Sequence, residues 1–173
     1  MDVVAGIGTG AVRVFAGAHR KRFSDVVNND FDGMEKTLRV ICDYAMEKNV
    51  EIWLETHSDL SAAAAARRVV DRVGRSNLKI LWDVMHSIEF KESLEESMAA
   101  LQGCLAHVHW KDGRPAEDSD LCEYVHTDLG VGAMPLNELL QLLKQSGYDG
   151  YVSLKSEAGY DRVSGSVVSH AAL

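Results

Sequence analysis

The stretch VEIWLETHSDLSAAAAARRVVDRVGRSNLKILWD, residues 50–83, contains a complete strand–helix–strand pattern. An apolar, β-rich run opens it and another closes it, which is typical of strands buried in a parallel sheet. The alanine-rich run between them predicts a helix that ends near Val73, with Ser61 or Asp59 as its N-cap. Because a crossover of helical length joins parallel strands, the stretch predicts one βαβ unit.

The same alternation continues on both sides of this unit. The predicted strands are AVRVFAG (11–17), VEIWLE (50–55), LKILWD (78–83), LAHVHW (105–110) and GYVSLKSE (150–157). Helices are predicted over Met34–Ala45, after the capping box at Ser93–Glu96, between Pro135 and Gly147, and in the tail. The polar residues from Asp112 to Gly132 predict a long, irregular, functional loop. This order predicts a single α/β domain over residues 1–173, with about five parallel strands and flanking helices.

The composition argues against several classes of protein. With 46% hydrophobic and 25% charged residues, the chain has the make-up of an ordinary soluble domain. It contains no apolar run of about 18 residues and no secretory leader pattern, so we expect no membrane partner. Three cysteines without CxxC spacing indicate reduced thiols and a cytoplasmic protein. The net charge of −8 argues against a nucleic-acid partner, and the basic cluster 19–22 is either a solvated loop or a phosphate contact.

Polar residues stand at the ends of four predicted strands. They are Glu55, Asp83, His107 with His109, and Lys155 with Glu157. A strand buried on both faces should be apolar, and parallel strands place their carboxyl ends at one rim, where α/β folds hold their active sites. A single residue of this kind is more often a solvent contact, but four successive strands favour a functional site. Trp53, one layer below Glu55 on the same face, is either the floor of a sugar pocket or interior filling.

Two carboxylates and an imidazole at one rim form a mixed oxygen and nitrogen ligand set. Such a set suits Mn²⁺, Mg²⁺, Co²⁺ or Zn²⁺ better than it suits a metal that prefers thiolates. The strand ends therefore predict a site for one divalent metal ion.

Five segments resemble, in order, strand-end motifs of the sugar phosphate isomerase/epimerase superfamily, the xylose isomerase-like barrels. They are LETH (54–57), WDVMH (82–86), HVHWKD (107–112), LGVGAMPL (129–136) and YDGYVSLKSE (148–157). The resemblance covers residues 6–157 and implies a (β/α)8 TIM barrel that uses one divalent metal, Mn²⁺ foremost. It also implies an enzyme that isomerises or epimerises a sugar or sugar phosphate. The reaction implied is proton abstraction beside a carbonyl, through an enediolate.

The resemblance implies a role for each matching residue. Glu55 matches a metal ligand that is also the acid/base, Asp83 matches the second ligand, and His109 matches the imidazole ligand. His86 matches a histidine that contacts the substrate and takes part in catalysis. Lys111 matches a residue that supports substrate binding.

One position departs from the family pattern at the last strand. Lys155 stands where the family has a glutamate that is both ligand and second acid/base. An ammonium there opposes a divalent cation, so we expect weak metal binding and impaired turnover. Alternatively Glu157, on the same face and roughly 7 Å along the strand, replaces the ligand. Lys155 would then be a carbonyl or phosphate contact, or a proton carrier.

The length gives a second departure, since a barrel of this type has about 250 residues. AVRVF resembles the fourth strand of the family, so the resemblance implies a barrel that is incomplete at the N-terminus and holds the last five βα units. Exposed sheet edges invite pairing, so we expect a homo-oligomer or a complementing N-terminal half as partner. Arg13 would face the missing half or solvent. A non-catalytic binding or assembly module that uses the open edge is the alternative function.

Overall fold

The computed structural model describes residues 1–16, 31–116 and 123–155. Over these residues, five parallel strands form one sheet that curls into a half-barrel with helices on its outer side. Its strands, in spatial order, are β1 (Ala11–Phe15), β2 (Glu51–Glu55), β3 (Leu78–Asp83), β4 (Leu105–Trp110) and β7 (Tyr151–Leu154). The spatial order follows the chain order, as successive right-handed βαβ units require. The predicted fold class is confirmed.

One short helix precedes the first strand, and the other helices of the described part of the chain lie in the connections between successive strands. In chain order, the helices are α1 (Asp2–Gly6), α2 (Asp32–Glu47), α3 (Ala63–Val73), α4 (Val84–Glu89), α5 (Leu94–Leu101) and α6 (Leu136–Gln145), with a 3-10 turn at Ser58–Leu60. The outer faces of the strands supply buried side chains such as Ile52, Ile80 and Trp82 to one core with the helices. Trp82 and Trp110 are buried there, as alternation along the strands predicts.

Helix α3 begins differently from the prediction. Its N-cap is Ala62, which has no side-chain cap, so the predicted caps Ser61 and Asp59 were wrong. The carboxylate of Glu92 accepts hydrogen bonds from the backbone N–H groups of Ala63 at 2.6 Å and Ala64 at 3.1 Å. A residue of a later loop therefore satisfies the free donors at this helix end. The predicted capping box is confirmed at the start of α5.

The stretch 112–132, predicted to be irregular, contains an antiparallel hairpin. Its strands are β5 (Asp112–Pro115) and β6 (Tyr124–Thr127), paired from Asp112 with Thr127 to Pro115 with Tyr124. The prediction was wrong because DGRP lacks the β-branched and aromatic residues that indicate a strand. The tail, Glu157, Cys122 and the basic cluster 19–22 lie outside the described residues.

The ladder between β3 and β4 contains an irregularity. Ile80 is the partner of Leu105, but the next residue, Leu81, is the partner of His107, so β4 has one extra residue at this point. Beyond it, Asp83 lies opposite His109. The bulge therefore aligns two of the predicted ligands at the carboxyl end of the sheet.

Both outer strands of the sheet have an open side. Within the described residues, β1 pairs only with β2, and β7 pairs only with β4. Large apolar side chains are exposed along these strands: Phe15 at 52%, Leu154 at 51% and Tyr151 at 81%. No helix among residues 1–16, 31–116 and 123–155 is long and apolar enough to cross a membrane.

Candidate active site at the strand ends

The carboxyl ends of β2, β3, β4 and β7 bring their polar residues together. Glu55 and Asp83 are completely buried, and His109 is partly buried beside them. One ligand atom from each of these three residues lies within 4.8 Å of the other two. Lys155 directly follows β7, and its backbone N–H donates to the carbonyl of Trp110, so the ladder carries its side chain to the same rim. The predicted convergence of strand ends is present in the structure.

Glu55 has cationic or donor groups on both carboxylate oxygens. Its Oε1 accepts from His109 Nδ1 at 2.8 Å and from Lys155 Nζ at 3.1 Å. Its Oε2 accepts from Arg13 Nε at 2.7 Å and from Arg13 Nη2. Burial by itself would raise the pKa of Glu55, but the hydrogen bonds from His109 and Arg13 and the charge of Lys155 hold it well below its usual range.

Arg13 is exposed, as expected, with a side chain that is 39% accessible to solvent, and it also makes an ion pair that the sequence did not predict. Its side chain runs along the inner face of β1 and pairs with Glu55 on the neighbouring strand. A charged residue in the middle of a short strand is the sequence signal that could have indicated this ion pair, since such a charge requires a partner when it is partly buried.

Asp83 is held mainly through one oxygen. Its Oδ2 lies 2.8 Å from Lys111 Nζ, 3.2 Å from Lys155 Nζ and 3.6 Å from His86 Nε2. Its Oδ1 is buried and has no hydrogen-bond partner among the described residues. Burial by itself would raise the pKa of Asp83, but His86, Lys111 and Lys155 lower it, so the group is a carboxylate at neutral pH.

Lys155 thus bridges the two buried carboxylates. Burial by itself would lower the pKa of its amine, but Asp83 and Glu55 raise it above the ordinary value. The side chain keeps its positive charge at neutral pH and remains 20% exposed on the inner face.

The comparisons with known proteins agree with this architecture. The sequence model of the xylose isomerase-like TIM barrel family matches residues 1–167. The chain belongs to this family. The family places its chemistry at the carboxyl ends of the barrel strands, as barrels of this class do.

Three known proteins are similar to this chain over different lengths. A putative hydroxypyruvate isomerase of Streptomyces coelicolor is 36% identical over 108 residues, which are 59% of this chain and 34% of that protein. The probable 3-DHS dehydratase AsbF of Bacillus anthracis superposes with a TM-score of 0.73 at 20% identity, over 92% of this chain and 63% of that one. The 3-keto-D-glucoside 4-epimerase YcjR of E. coli gives a TM-score of 0.69 at 21% identity, over 90% of this chain and 59% of that one. The chain therefore spans less than two thirds of these relatives, and the structural matches show the fold alone.

The predicted metal ligands suit a divalent ion by type and spacing, but Lys155 stands among them. Two carboxylates and an imidazole within 4.8 Å are a common ligand set for Mn²⁺ or Zn²⁺. A dication about 4 Å from an ammonium is opposed by about 8 kcal/mol at an effective dielectric constant of about 20. Arg13 and Lys111 already neutralise the same two carboxylates. With Lys155 in this position, the described residues do not fit a divalent metal, and Glu157 lies outside them.

His86 and Lys111, the predicted substrate contacts, are buried at the edge of the same cluster. His86 Nδ1 donates to Glu89 Oε2 at 2.9 Å, and Lys111 Nζ donates to His86 Nε2 at 3.2 Å. The ring of His57 meets the ring of His86 edge-on, with 4.8 Å between centroids. Burial first and the neighbouring His86 second lower the pKa of His57 to about 4, so His57 is neutral at pH 7. Sequence reasoning missed Glu89, although its i+3 spacing from His86 on a helix was a usable signal.

Trp53 lies below the ionic cluster, as predicted. Its ring stacks on that of His107 with 5.4 Å between centroids, and its Nε1 donates to Glu51. His107 in turn contacts Ser153 Oγ at 2.8 Å. The three side chains form an amphipathic layer on the inner face of the sheet, and a role for Trp53 in substrate binding stays a prediction.

Asp112 orders the segment that follows the hairpin. Its carboxylate accepts four backbone hydrogen bonds, from Gly113, Gly130, Gly132 and Met134, at 2.8 to 3.1 Å. Burial by itself would raise the pKa of Asp112, but these N–H groups lower it. The glycine pair in GVG was the signal in the sequence, because a side chain at Gly132 would collide with Asp112.

Proposed function

We propose that this chain carries the proton-transfer face of a sugar isomerase or epimerase. The substrate class is a small hydroxylated ketone or aldehyde, or its phosphate. The observation that supports this proposal is the buried, ionised carboxylate of Glu55 beside the ammonium of Lys155. A base and a cation a few ångströms apart can remove a proton next to a carbonyl while charge develops on its oxygen. The 36% identity to a putative hydroxypyruvate isomerase supports the same class of reaction.

The proposed roles follow from the contacts of each residue. Glu55 would be the base, His86 and Lys111 would hold the substrate from the side of Asp83, and Trp53 would form the floor of the pocket. Glu157, which lies outside the described residues, stays a proton-transfer group predicted from the sequence alone. We expect turnover to be low, because the pKa of Glu55 is far below neutral pH and a base works best when the two match.

Exchange of a substrate proton with solvent tests this function. The hydroxymethylene protons of hydroxypyruvate should exchange with deuterium in D2O faster with the protein than in buffer alone, as followed by ¹H NMR. Glu55→Gln should slow this exchange by at least about 100-fold, since general-base catalysis contributes that much or more. Glu51→Gln is the matched control, because Glu51 lies on the same face of β2 and its carboxylate accepts a hydrogen bond from Trp53 Nε1, outside the group of Glu55, Asp83 and Lys155. Equal exchange in the wild type and in Glu55→Gln would contradict the proposal.

The second candidate function is an assembly module that uses the open sheet edges. The exposed apolar residues Phe15, Tyr151 and Leu154 on β1 and β7 favour it. A second copy of the chain, or a protein that supplies further barrel strands, would then cover these edges. Sedimentation velocity would show an assembly that chelator does not disperse and that Tyr151→Lys weakens. A monomer at all concentrations, together with substrate proton exchange, would leave the enzyme function as the better account.

A further inference from the structure

We propose that the ammonium of Lys155 is an internal cation that takes the place of a divalent metal in this site. The inference deepens the proposed function and rests on it only for the catalytic role of the ammonium. Lys155 Nζ lies 3.1 Å from Glu55 Oε1 and 3.2 Å from Asp83 Oδ2. These two oxygens belong to two of the three residues that could ligate a metal. The nitrogen therefore contacts the same donors that a metal ion would bind.

The arrangement of charge supports the same conclusion. Glu55 and Asp83 are completely buried, and buried carboxylates are stable only when cations or N–H donors compensate them. Arg13 pairs with Glu55, Lys111 pairs with Asp83, and Lys155 is shared between the two carboxylates. The third donor, His109, is engaged with the same oxygen of Glu55 that Lys155 contacts. The site is therefore compensated by the side chains of the chain itself.

A position between the carboxylates also gives Lys155 a chemical role. In the forward step, the Glu55 carboxylate takes the proton from the carbon beside the substrate carbonyl, and the Lys155 ammonium gives a proton to the carbonyl oxygen. The product is an enediol, with a neutral carboxyl group and a neutral amine. Glu55 then gives its proton to the former carbonyl carbon. The Lys155 amine takes the hydroxyl proton from the carbon that lost its hydrogen, and that carbon becomes the new carbonyl. Atoms and charge balance over the two steps, and no oxidant or further cofactor is needed.

Metal retention tests the inference without any substrate. Purified wild-type chain is incubated with Mn²⁺, desalted and analysed for metal content, and its melting temperature is recorded with Mn²⁺ and with EDTA. We expect far less than one Mn²⁺ per chain and the same melting temperature in both solutions, since only an ion that binds the folded state changes stability. About one Mn²⁺ per wild-type chain, lost in His109→Ala, would overturn the inference.

Two substitutions should create the metal site. Lys155→Glu should retain about one Mn²⁺ per chain and melt higher with Mn²⁺ than with EDTA. Lys155→Met removes the charge without adding a ligand, and should bind Mn²⁺ at least about tenfold more tightly than the wild type. Lys79→Glu, the same charge change at a lysine of a different strand, β3, is the matched control and should not gain metal. If Lys155→Glu does not fold, Lys155→Met decides, and a Lys155→Met protein with wild-type Mn²⁺ affinity would overturn the inference.

The proposed function and this inference fail in different experiments. Proton exchange by the wild type in EDTA, reduced in Lys155→Met, supports both. Lack of exchange together with lack of metal would reject the enzyme function and keep the internal cation. Exchange that requires Mn²⁺ would keep the function and reject the internal cation.

Discussion

Replacement of Asp112 by asparagine should destabilise the chain by about 3 kcal/mol. The carboxylate accepts from Gly113 at 2.8 Å and Met134 at 3.1 Å with one oxygen, and from Gly130 at 2.8 Å and Gly132 at 3.0 Å with the other. Asparagine keeps one acceptor oxygen but turns an NH2 group toward the remaining two N–H donors. Each buried donor left without a partner costs about 1–3 kcal/mol, so two donors cost about 2–6 kcal/mol, and the partial exposure of this segment places the loss in the lower half of that range.

Urea unfolding at pH 7, followed by tryptophan fluorescence, measures this loss. Asp128→Asn is the control, because it is the same chemical change at an exposed residue of the same segment. We expect the control to change the free energy of unfolding by less than about 0.5 kcal/mol. A loss below about 1 kcal/mol in Asp112→Asn would refute the reasoning that its four hydrogen bonds order the segment.

The difference between wild type and Asp112→Asn should also depend on pH. The pKa of Asp112 is lowered in the folded state, so its contribution is fully present above the unfolded pKa of about 3.9. It is lost as the pH falls through the lower, folded value. The stability gap should therefore be constant from about pH 5 to 8 and narrow below about pH 4. A gap of the same size at pH 7 and pH 2.5 would contradict a role for the charge.

Two further substitutions test the fold. Gly132→Ala should lower the free energy of unfolding in urea by several kcal/mol, because the new methyl group meets the carboxylate of Asp112. Gly130→Ala is the control and should lower it by about 1 kcal/mol, for its positive φ alone. Equal losses in the two variants would argue against the close approach of Gly132 to Asp112. Glu92→Ala should lower the melting temperature, because it removes the cap at Ala63 and reduces the free energy of unfolding by about 1–2 kcal/mol. An unchanged melting temperature would show that water replaces this cap.

The fold, and the convergence of the site residues at one end of the sheet, were predictable from the local sequence pattern of strands and helices. Strand–helix alternation predicts parallel strands, and parallel strands must place Glu55, Asp83 and His109 at one end of the sheet. These inferences need only the chain order and the period of each element. They hold because the polar residues occupy strand ends, where the pattern is unambiguous.

The contacts that set the charge of the site were not predictable in this way. The pairing of Arg13 with Glu55 spans 42 residues, and the cap that Glu92 gives to Ala63 spans 29. Such contacts depend on how neighbouring units pack, so the sequence can indicate that a charge such as Arg13 needs a partner, but propensity and spacing along the chain do not identify the partner. The hairpin was missed for a related reason, because Asp112 and Gly113 are poor strand residues that tertiary hydrogen bonds hold in place.

The bulge between β3 and β4 determines which side chains of β4 reach the site at the carboxyl end of the sheet. Because β4 gains one residue after Leu105, every later side chain of that strand moves one step relative to Asp83. In a regular ladder with the same sequence, Val108 would stand level with Asp83, and the imidazole of His109 would belong to the opposite, helix-covered face. The bulge near Leu105 thus sets the position of His109 opposite Asp83, although it lies several residues before His109 in the strand. A change of register that removed the bulge while the sequence stayed the same would place core residues of β4 in the site and site residues in the core, although every functional residue would still be present in the chain.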